Sequence, residues 1–388
     1  MKSRIHSLAI SLIFLSIILF LSCKEENGVE PALPYTYQVP EKTNDGWETA
    51  NLTDVGISSK KLYEVVDLIN INILKEVHSI LIIKNGKLVF EEYFQGHKFD
   101  FSGSNHHGNV VNFSMNTIHN QASVTKSFTS ALVGLAIDKG NISSVNEKVY
   151  DYFPEYSELR DEQKDKMTIE HLLSMTSGFE WNEGEYQYSD NRNDLIQMWN
   201  VSDPLRHLMS KSLVAEPGTQ FYYNSGCTIL LGEIVKRATG TNADMFSKVF
   251  LFQPLGISQF QWIHFSNGVL FASGDLQVRP RDMAKLGYLF LNDGKWQGKQ
   301  VLSSSWIQKS AESYINVNSI WKYGYQWWIR SYTINSQIID SYSARGWGGQ
   351  TIIVFPSLNV VMVLTGGNYT TYEPVNDVLQ LYLIPSVL

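Results

Sequence analysis

SVTKSFTSALVGLAIDKG, residues 123–140, is the stretch on which the reading of this chain turns. It is apolar over several turns, carries no proline, and meets Gly140 just past Asp138, where a helix in need of a left-handed stop would end. The spacing therefore predicts a helix over Ser123–Asp138. Ser123 and Lys126 stand three apart, so on a helix they share a face, and the lysine ammonium points back toward the serine hydroxyl. The positive end of the helix dipole disfavours a second positive charge there, and burial would push the amine further toward its neutral, basic form. Free N–H groups at the same end suit a developing oxyanion. An ordinary capping serine followed by a surface lysine fits this stretch equally well when it is read alone.

The pattern Ser-x-x-Lys is cheap, with about one or two chance matches expected in a chain of this length. It occurs at Ser58/Lys61, Ser123/Lys126 and Ser319/Lys322. Only Ser123 opens a long apolar helix. Outward from it, His78 to Phe94 reads as a β-hairpin about Asn85-Gly86. Residues 97–122 are polar and read as a long loop. Met167 to Met175, Thr228 to Ala238 and Arg281 to Leu291 read as helices. Tyr323 to Ile329, Gln337 to Ser343, Thr351 to Phe355 and Val360 to Leu364 read as strands. Strands at both ends with helices between them predict an α+β domain over residues 51–388. Its antiparallel sheet would be built from the two chain ends, with a mainly helical subdomain inserted at about 145–315.

The N-terminus reads as a targeting segment. Lys2 and Arg4 precede an apolar run, Leu8 to Leu21, of signal-peptide length and too short to span a bilayer comfortably. Residues 1–22 are taken as a signal peptide. Cys23 then resembles the lipidated first residue of bacterial lipoproteins, although Phe20 and Leu21 depart from the strictest lipobox. This implies an exported protein of the bacterial cell envelope, held to a membrane by a lipid anchor. Residues 24–50, with Pro31, Pro34 and Pro40, read as a tether. Cys227 is the only other cysteine, so an acylated Cys23 leaves no intramolecular disulfide, and Cys227 reads as a small packing residue. Hydrophobic residues make up 44% and the net charge is −7 without a basic block, which favours a packed domain and excludes the electrostatic footprint of a nucleic-acid binder.

Two further stretches carry a family resemblance. Glu216-Pro217-Gly218-Thr219-Gln220-Phe221-Tyr222-Tyr223-Asn224-Ser225-Gly226 is a turn leading into a helix. It resembles the tyrosine motif of the serine β-lactamase and penicillin-binding-protein superfamily. Tyr222-Tyr223-Asn224 gives a literal Tyr-x-Asn, but Tyr223-Asn224-Ser225 keeps the family's distances on both sides, and Tyr223 is chosen. Arg345-Gly346-Trp347-Gly348-Gly349-Gln350, before a strand, is similar to the third motif, carried as Trp347-Gly348-Gly349. The order of the three motifs also matches. Asp151 to Pro154, Thr168 to Gly178, Arg281 to Ala284 and Tyr323 to Trp328 resemble further landmarks, so the likeness covers most of residues 50–388.

The resemblance implies a β-lactamase/transpeptidase-like fold, nearest to the esterase and 6-aminohexanoate-dimer hydrolase branch. It implies Ser123 as nucleophile, Lys126 and Tyr223 as proton carriers, and the backbone N–H groups of Ser123 and Gln350 as oxyanion donors. Ser225, Trp347, Gly348 and Gly349 would border the substrate, small residues letting it lie along the strand edge. Trp347 stands where enzymes acting on β-lactams or peptidoglycan stems usually keep a cation, which disfavours both activities. Arg345 reads as a solvated strand-end residue. The expected substrate is a small ester or amide, with no cofactor. A binding module that keeps the fold without catalysis is the alternative from a different class. No Gly-x-Ser-x-Gly elbow occurs. His106-His107 has no zinc-site spacing around it and reads as a solvated pair, so no metal is expected.

Overall fold

The computed structural model describes residues 35–388; the signal segment 1–22 and Cys23 lie outside them. The hairpin at Asn85-Gly86 forms as its sequence dictates. β2 (Val77–Lys84) and β3 (Lys87–Tyr93) are joined by two residues with φ of 54° and 76°, the left-handed pair a tight hairpin turn requires. At the other end of the chain, β12 (Trp328–Ile334), β13 (Gln337–Gly346), β14 (Gln350–Phe355) and β15 (Val360–Gly366) run as a meander. β15 pairs with β2, Val363 opposite Leu81, which closes the two chain ends into one sheet. With β1 (Glu48–Thr49), β10 (Ile315–Asn316) and β11 (Lys322–Tyr323), its order is β1-β3-β2-β15-β14-β13-β12-β11-β10. Every pairing is antiparallel except β1 with β3, a short parallel edge that the sequence reading did not include.

The fold class is the expected α+β one, with helices against the sheet. Leu81, Ile83, Ile352, Val354, Val361 and Val363 join the main core, while the alternating Ile80, Ile82, Ile353 and Met362 are buried as well. These central strands are covered on both faces, which is why they read as unbroken apolar runs. The helix α1 (Ser59–Asn70) packs on the C-terminal helical segment, residues 375–387. Among the described residues no helix is long and apolar enough to cross a membrane.

The stretch quoted at the outset forms α2 (Thr125–Asp138), preceded by a 3-10 turn over Ala122–Val124. Ser123 thus sits in the turn that feeds the helix, two residues before its first residue. α2 packs on α3 (Ser225–Thr239), and Thr125 to Ala136 are buried on every side. Its polar side chains are satisfied across the core: Ser127 Oγ donates to the Gln326 carbonyl and Thr129 Oγ1 to that of Ala272, both at 2.6 Å. A Cβ on Gly134 would lie 2.5 Å from the Trp306 indole ring. Gly134→Ala is therefore expected to destabilise the protein by about 1–3 kcal/mol, read as a lowered midpoint in urea unfolding.

Three readings are corrected. Residues 37–50 are no tether: residues 37–388 form one compact unit, and Trp47 is buried. The guanidinium of Arg281 pins this segment, bonding Thr43 Oγ1 at 2.9 Å, Asp45 Oδ2 at 3.0 Å and the Glu41 carbonyl at 2.9 Å, while also pairing with Glu91. Within 97–122, read as a loop, β4 (Gln95–Phe99) and β5 (His107–Asn112) form a hairpin, and β6 (His119–Asn120) pairs with β7 (Gln277–Val278). The strand read over Tyr323–Ile329 is interrupted. Gln326 turns left-handed, with φ of 64°, and its side-chain amide donates to the Leu172 and Leu173 carbonyls. A small hairpin, β8 (Lys295–Trp296) and β9 (Lys299–Gln300), stands apart from the main sheet.

Candidate active site

Ser123 is held from both sides by backbone. Ala122 before it is left-handed, with φ of 44°, and its N–H donates to Asn120 Oδ1 at 2.7 Å. An alanine in that region is strained, and the hydrogen bond holds it there. Gly346, at the end of β13, lies against the same turn: a Cβ on it would fall 2.4 Å from the Gln121 carbonyl oxygen and 3.1 Å from Ser123 N. The third motif thus reaches the nucleophile candidate through a glycine that admits no side chain.

Lys126, one turn into the helix, is 2% exposed. Its Nζ donates to Ser123 Oγ and to the Ser273 carbonyl, each at 2.9 Å, and lies 4.9 Å from the centre of the Tyr223 ring. No carboxylate forms an ion pair with it among the described residues. Burial lowers its pKa to about 8, against a smaller upward pull from the Glu183 carboxylate. Tyr223 enters from the turn ahead of α3. Burial and, to a smaller extent, Glu183 push its phenol above the ordinary value, while a hydrogen bond with Ser123 works the other way. Its neighbour Tyr222 points elsewhere, donating to Gln220 Oε1 at 2.9 Å. The register that puts Tyr223 at the site is the one the fold adopts.

Ser225 is buried in the first turn of α3, where Asn224 caps the helix by accepting from Cys227 N. Its N–H and its Oγ both donate to Glu183, at 2.8 and 2.5 Å. The Trp181 indole and the Tyr188 hydroxyl donate to the same carboxylate, at 2.9 and 3.0 Å. Glu183 was not anticipated from sequence. It is one of several acids, with Glu180, Glu185 and Asp190, in a connecting segment, and only the nearby Trp181 hinted at burial. Cys227 packs in the core, bonded through its thiol to Ser177 Oγ.

The third motif is a turn. Gly348 and Gly349 have φ of 85° and 100°. The space beside Gly348 is filled by the Tyr369 ring, 2.3 Å from where a Cβ would stand, and Val375 lies beside Gly349. These glycines therefore leave room for the protein's own side chains, and neither is among the residues lining the cavity at Ser123. The Gln350 side chain is buried and braces the turn, donating to the Trp347 and Gly366 carbonyls and accepting from Gly366 N. Arg345 is not a free strand-end residue but a partly exposed one: it bonds Asn376 Oδ1 at 3.0 Å and lies over the Trp321 ring.

Ser123 opens into a cavity of about 520 Å³. Phe99, Phe101, Trp199, Phe271, Trp347 and Tyr369 supply much of its wall. Trp347 is fixed by its indole N–H, which donates to the Tyr369 carbonyl at 2.7 Å, and by ring contacts with Tyr188 and Tyr369. Among the described residues, the charged groups lining the cavity are carboxyls, Glu183 and Asp275, with no lysine, arginine or histidine. Burial raises the pKa of Asp275, which accepts a hydrogen bond from Asn120 at 2.5 Å. A hydroxyl, a buried amine of depressed basicity and a phenol meeting at an aromatic cavity can carry out nucleophilic attack on a carbonyl with internal proton transfer.

Comparison with known proteins bears on the family and the fold. A family profile described as Beta-lactamase matches residues 77–381. A 6-aminohexanoate-dimer hydrolase from Paenarthrobacter ureafaciens is 26% identical, the match covering 63% of this chain and 65% of that protein, just under two thirds of its length. Among solved structures, a candidate 6-aminohexanoate-dimer hydrolase from Bacillus anthracis superposes with a TM-score of 0.68 at 22% identity, covering 90% of each chain. A family VIII carboxylesterase gives 0.63 at 17% identity, covering 86% of this chain and 99% of that one. At these identities the two structures establish a shared fold.

Proposed function

We propose, from the premise that this chain belongs to the beta-lactamase family of serine hydrolases, that it cleaves a small neutral ester or amide through an acyl-enzyme on Ser123. The observation that supports it most directly is the 2.9 Å contact between Ser123 Oγ and a buried Lys126 amine whose pKa burial lowers to about 8. Ser123 Oγ attacks the carbonyl carbon and passes its proton to Lys126 Nζ. Tyr223 gives its own proton to the departing alcohol or amine and regains one from Lys126. Water then attacks the acyl-enzyme, its proton taken by the same pair and passed to the Ser123 oxygen as the acyl–oxygen bond breaks, which releases the acid and restores the serine. Backbone N–H groups of Ser123 and Gln350 hold the oxyanion.

The same premise favours Lys126 as the first proton acceptor. At pH 7 an amine with a pKa of about 8 is roughly one-tenth neutral. A phenol raised above its usual value of about 10 is less than about 0.1% ionised. Fluorophosphonate labelling tests the reading: the folded protein is expected to take up one label, on Ser123, and an unlabelled folded protein would point instead to a binding module.

The cavity's charge supports the neutral substrate. A substrate carboxylate would meet Glu183 and Asp275 on the cavity wall, and the Lys126 ammonium behind Ser123 is already bonded to Ser123 Oγ and the Ser273 carbonyl. We expect a chromogenic cephalosporin, which is an anion, to be turned over with a kcat/KM at least about a hundredfold below that of a neutral nitrophenyl ester. Parity between the two would overturn this assignment of substrate class. Export, with a lipid on Cys23, is part of the same proposal. Its support is the charged, then apolar, then cysteine order of residues 1–23, and metabolic labelling with a fatty acid, lost in Cys23→Ala, tests it.

A further inference from the structure

Five of the nine histidines stand at residues 78, 97, 106, 107 and 119, and none of the five takes part in the chemistry above. Three of them, with Glu76, form a cluster where β2 begins. Glu76 is left-handed, with φ of 53°, a conformation that a glutamate adopts only when its surroundings hold it. Its Oε1 meets His97 Nδ1 at 2.7 Å, and its Oε2 meets His78 Nε2 and the His97 backbone N–H, each at 3.0 Å. Burial opposes ionisation, but hydrogen bonds from His78 and His97 prevail and hold the carboxyl at about 2.

His107 stacks on His97 with ring centres 4.3 Å apart. Its Nε2–H donates to the Gly367 carbonyl at 2.7 Å, which in the neutral ring leaves Nδ1 as a lone pair. One ligand atom from each of Glu76, His97 and His107 lies within 4.8 Å of the others. The surroundings are built to this shape. A Cβ on Gly96 would fall 2.4 Å from the His78 ring, and one on Gly367 would fall 2.7 Å from Glu76 Oε2. His78 is wholly buried, and its other nitrogen bonds His119 Nε2 at 2.8 Å. The His97 side chain keeps 34% of its surface exposed, which gives an ion a way in.

We infer that Glu76, His97 and His107 bind a divalent transition-metal ion of the zinc type. Two imidazoles and one carboxylate suit that ion and leave a position for water. The ion takes the place of the proton shared by His97 and Glu76. A tetrahedral site needs donor atoms about 3.4 Å apart, so the near-parallel rings of His97 and His107 turn out of their stack when both bind one ion. The outer groups match those that orient metal ligands: His78 against the carboxylate, and a backbone carbonyl on the His107 N–H.

The consequence is mechanical. The ion ties the start of β2 to the β4–β5 hairpin, whose Phe99 and intervening loop residue Phe101 wall the cavity. Through His107 and Gly367 it also steadies the segment carrying Tyr369. The site does not depend on the role given to Ser123.

The test uses the purified full chain without a histidine tag, treated with a chelator and dialysed. Titration with Co²⁺ is expected to give visible d–d bands that saturate at one ion per chain and vanish on adding Zn²⁺. Zn²⁺ is expected to raise the melting temperature, and the chelator to reverse this. His97→Ala and His107→Ala should each weaken Co²⁺ binding at least about tenfold, whereas Ser123→Ala should bind as the wild type does. Absence of Co²⁺ bands and of any Zn²⁺-dependent melting shift in the wild type overturns the proposal. So does uptake undiminished in both histidine variants, because the ion would then lie elsewhere.

Discussion

Ser123→Ala is expected to lower kcat for a short-chain nitrophenyl ester at least about 10⁴-fold, the scale on which nucleophile removal acts in hydrolases. KM should move far less, because the cavity walls that hold the acyl group are untouched. The variant should melt close to the wild type. Ser123 is only half-buried, and its hydroxyl gives up the bond from Lys126, whose second bond to the Ser273 carbonyl remains, and the one with Tyr223. Loss of fluorophosphonate labelling in the same variant separates loss of the nucleophile from loss of folding. A variant that keeps full activity would place the chemistry at another residue.

The second large effect concerns the amine. If Lys126 accepts the serine proton, kcat/KM reports the free enzyme's titration. It should rise about tenfold per pH unit below pH 8 and level off above it, since burial sets the amine at about 8. The sign is that of a lysine whose charged form burial disfavours, so activity grows as the proton leaves. Lys126→Ala should cost about 10²–10⁴-fold, the range of a positioned general base, and should abolish the rise centred on pH 8. Glu183→Gln removes the one negative charge that raises this pKa, so its midpoint should move to lower pH. A flat profile in the wild type, or a rise centred near pH 10, would remove Lys126 from this role.

What the sequence allowed one to read followed from local rules. Asn85-Gly86 defines its hairpin because both residues tolerate positive φ. The central strands are apolar on both faces because helices and loops cover both. Ser123 and Lys126 meet because they stand three apart on a helix. What escaped depended on distant partners. Residues 37–50 look like a tether until Arg281, some 240 residues away, anchors them. The β4–β5 hairpin carries polar residues, the half-exposed His97 and the exposed Asn109 and Asn112 among them, so its alternation is faint. Glu183 is one acid among many until Ser225, Trp181 and Tyr188 converge on it. Glu76, His97 and His107 have no spacing that suggests a shared site, since the sheet and the hairpin bring them together.

The union of β2 with β15 has a consequence for how the chain is made. Leu81 waits for Val363, 282 positions downstream, so the middle of the sheet stays unfinished until nearly the whole polypeptide has left the ribosome. Long-range closure of this kind slows folding. A product truncated ahead of Val360 would carry β2 and β14 as open edges, greasy on both sides, and such edges recruit other chains. Completion of synthesis, more than any single contact, guards this protein against aggregation.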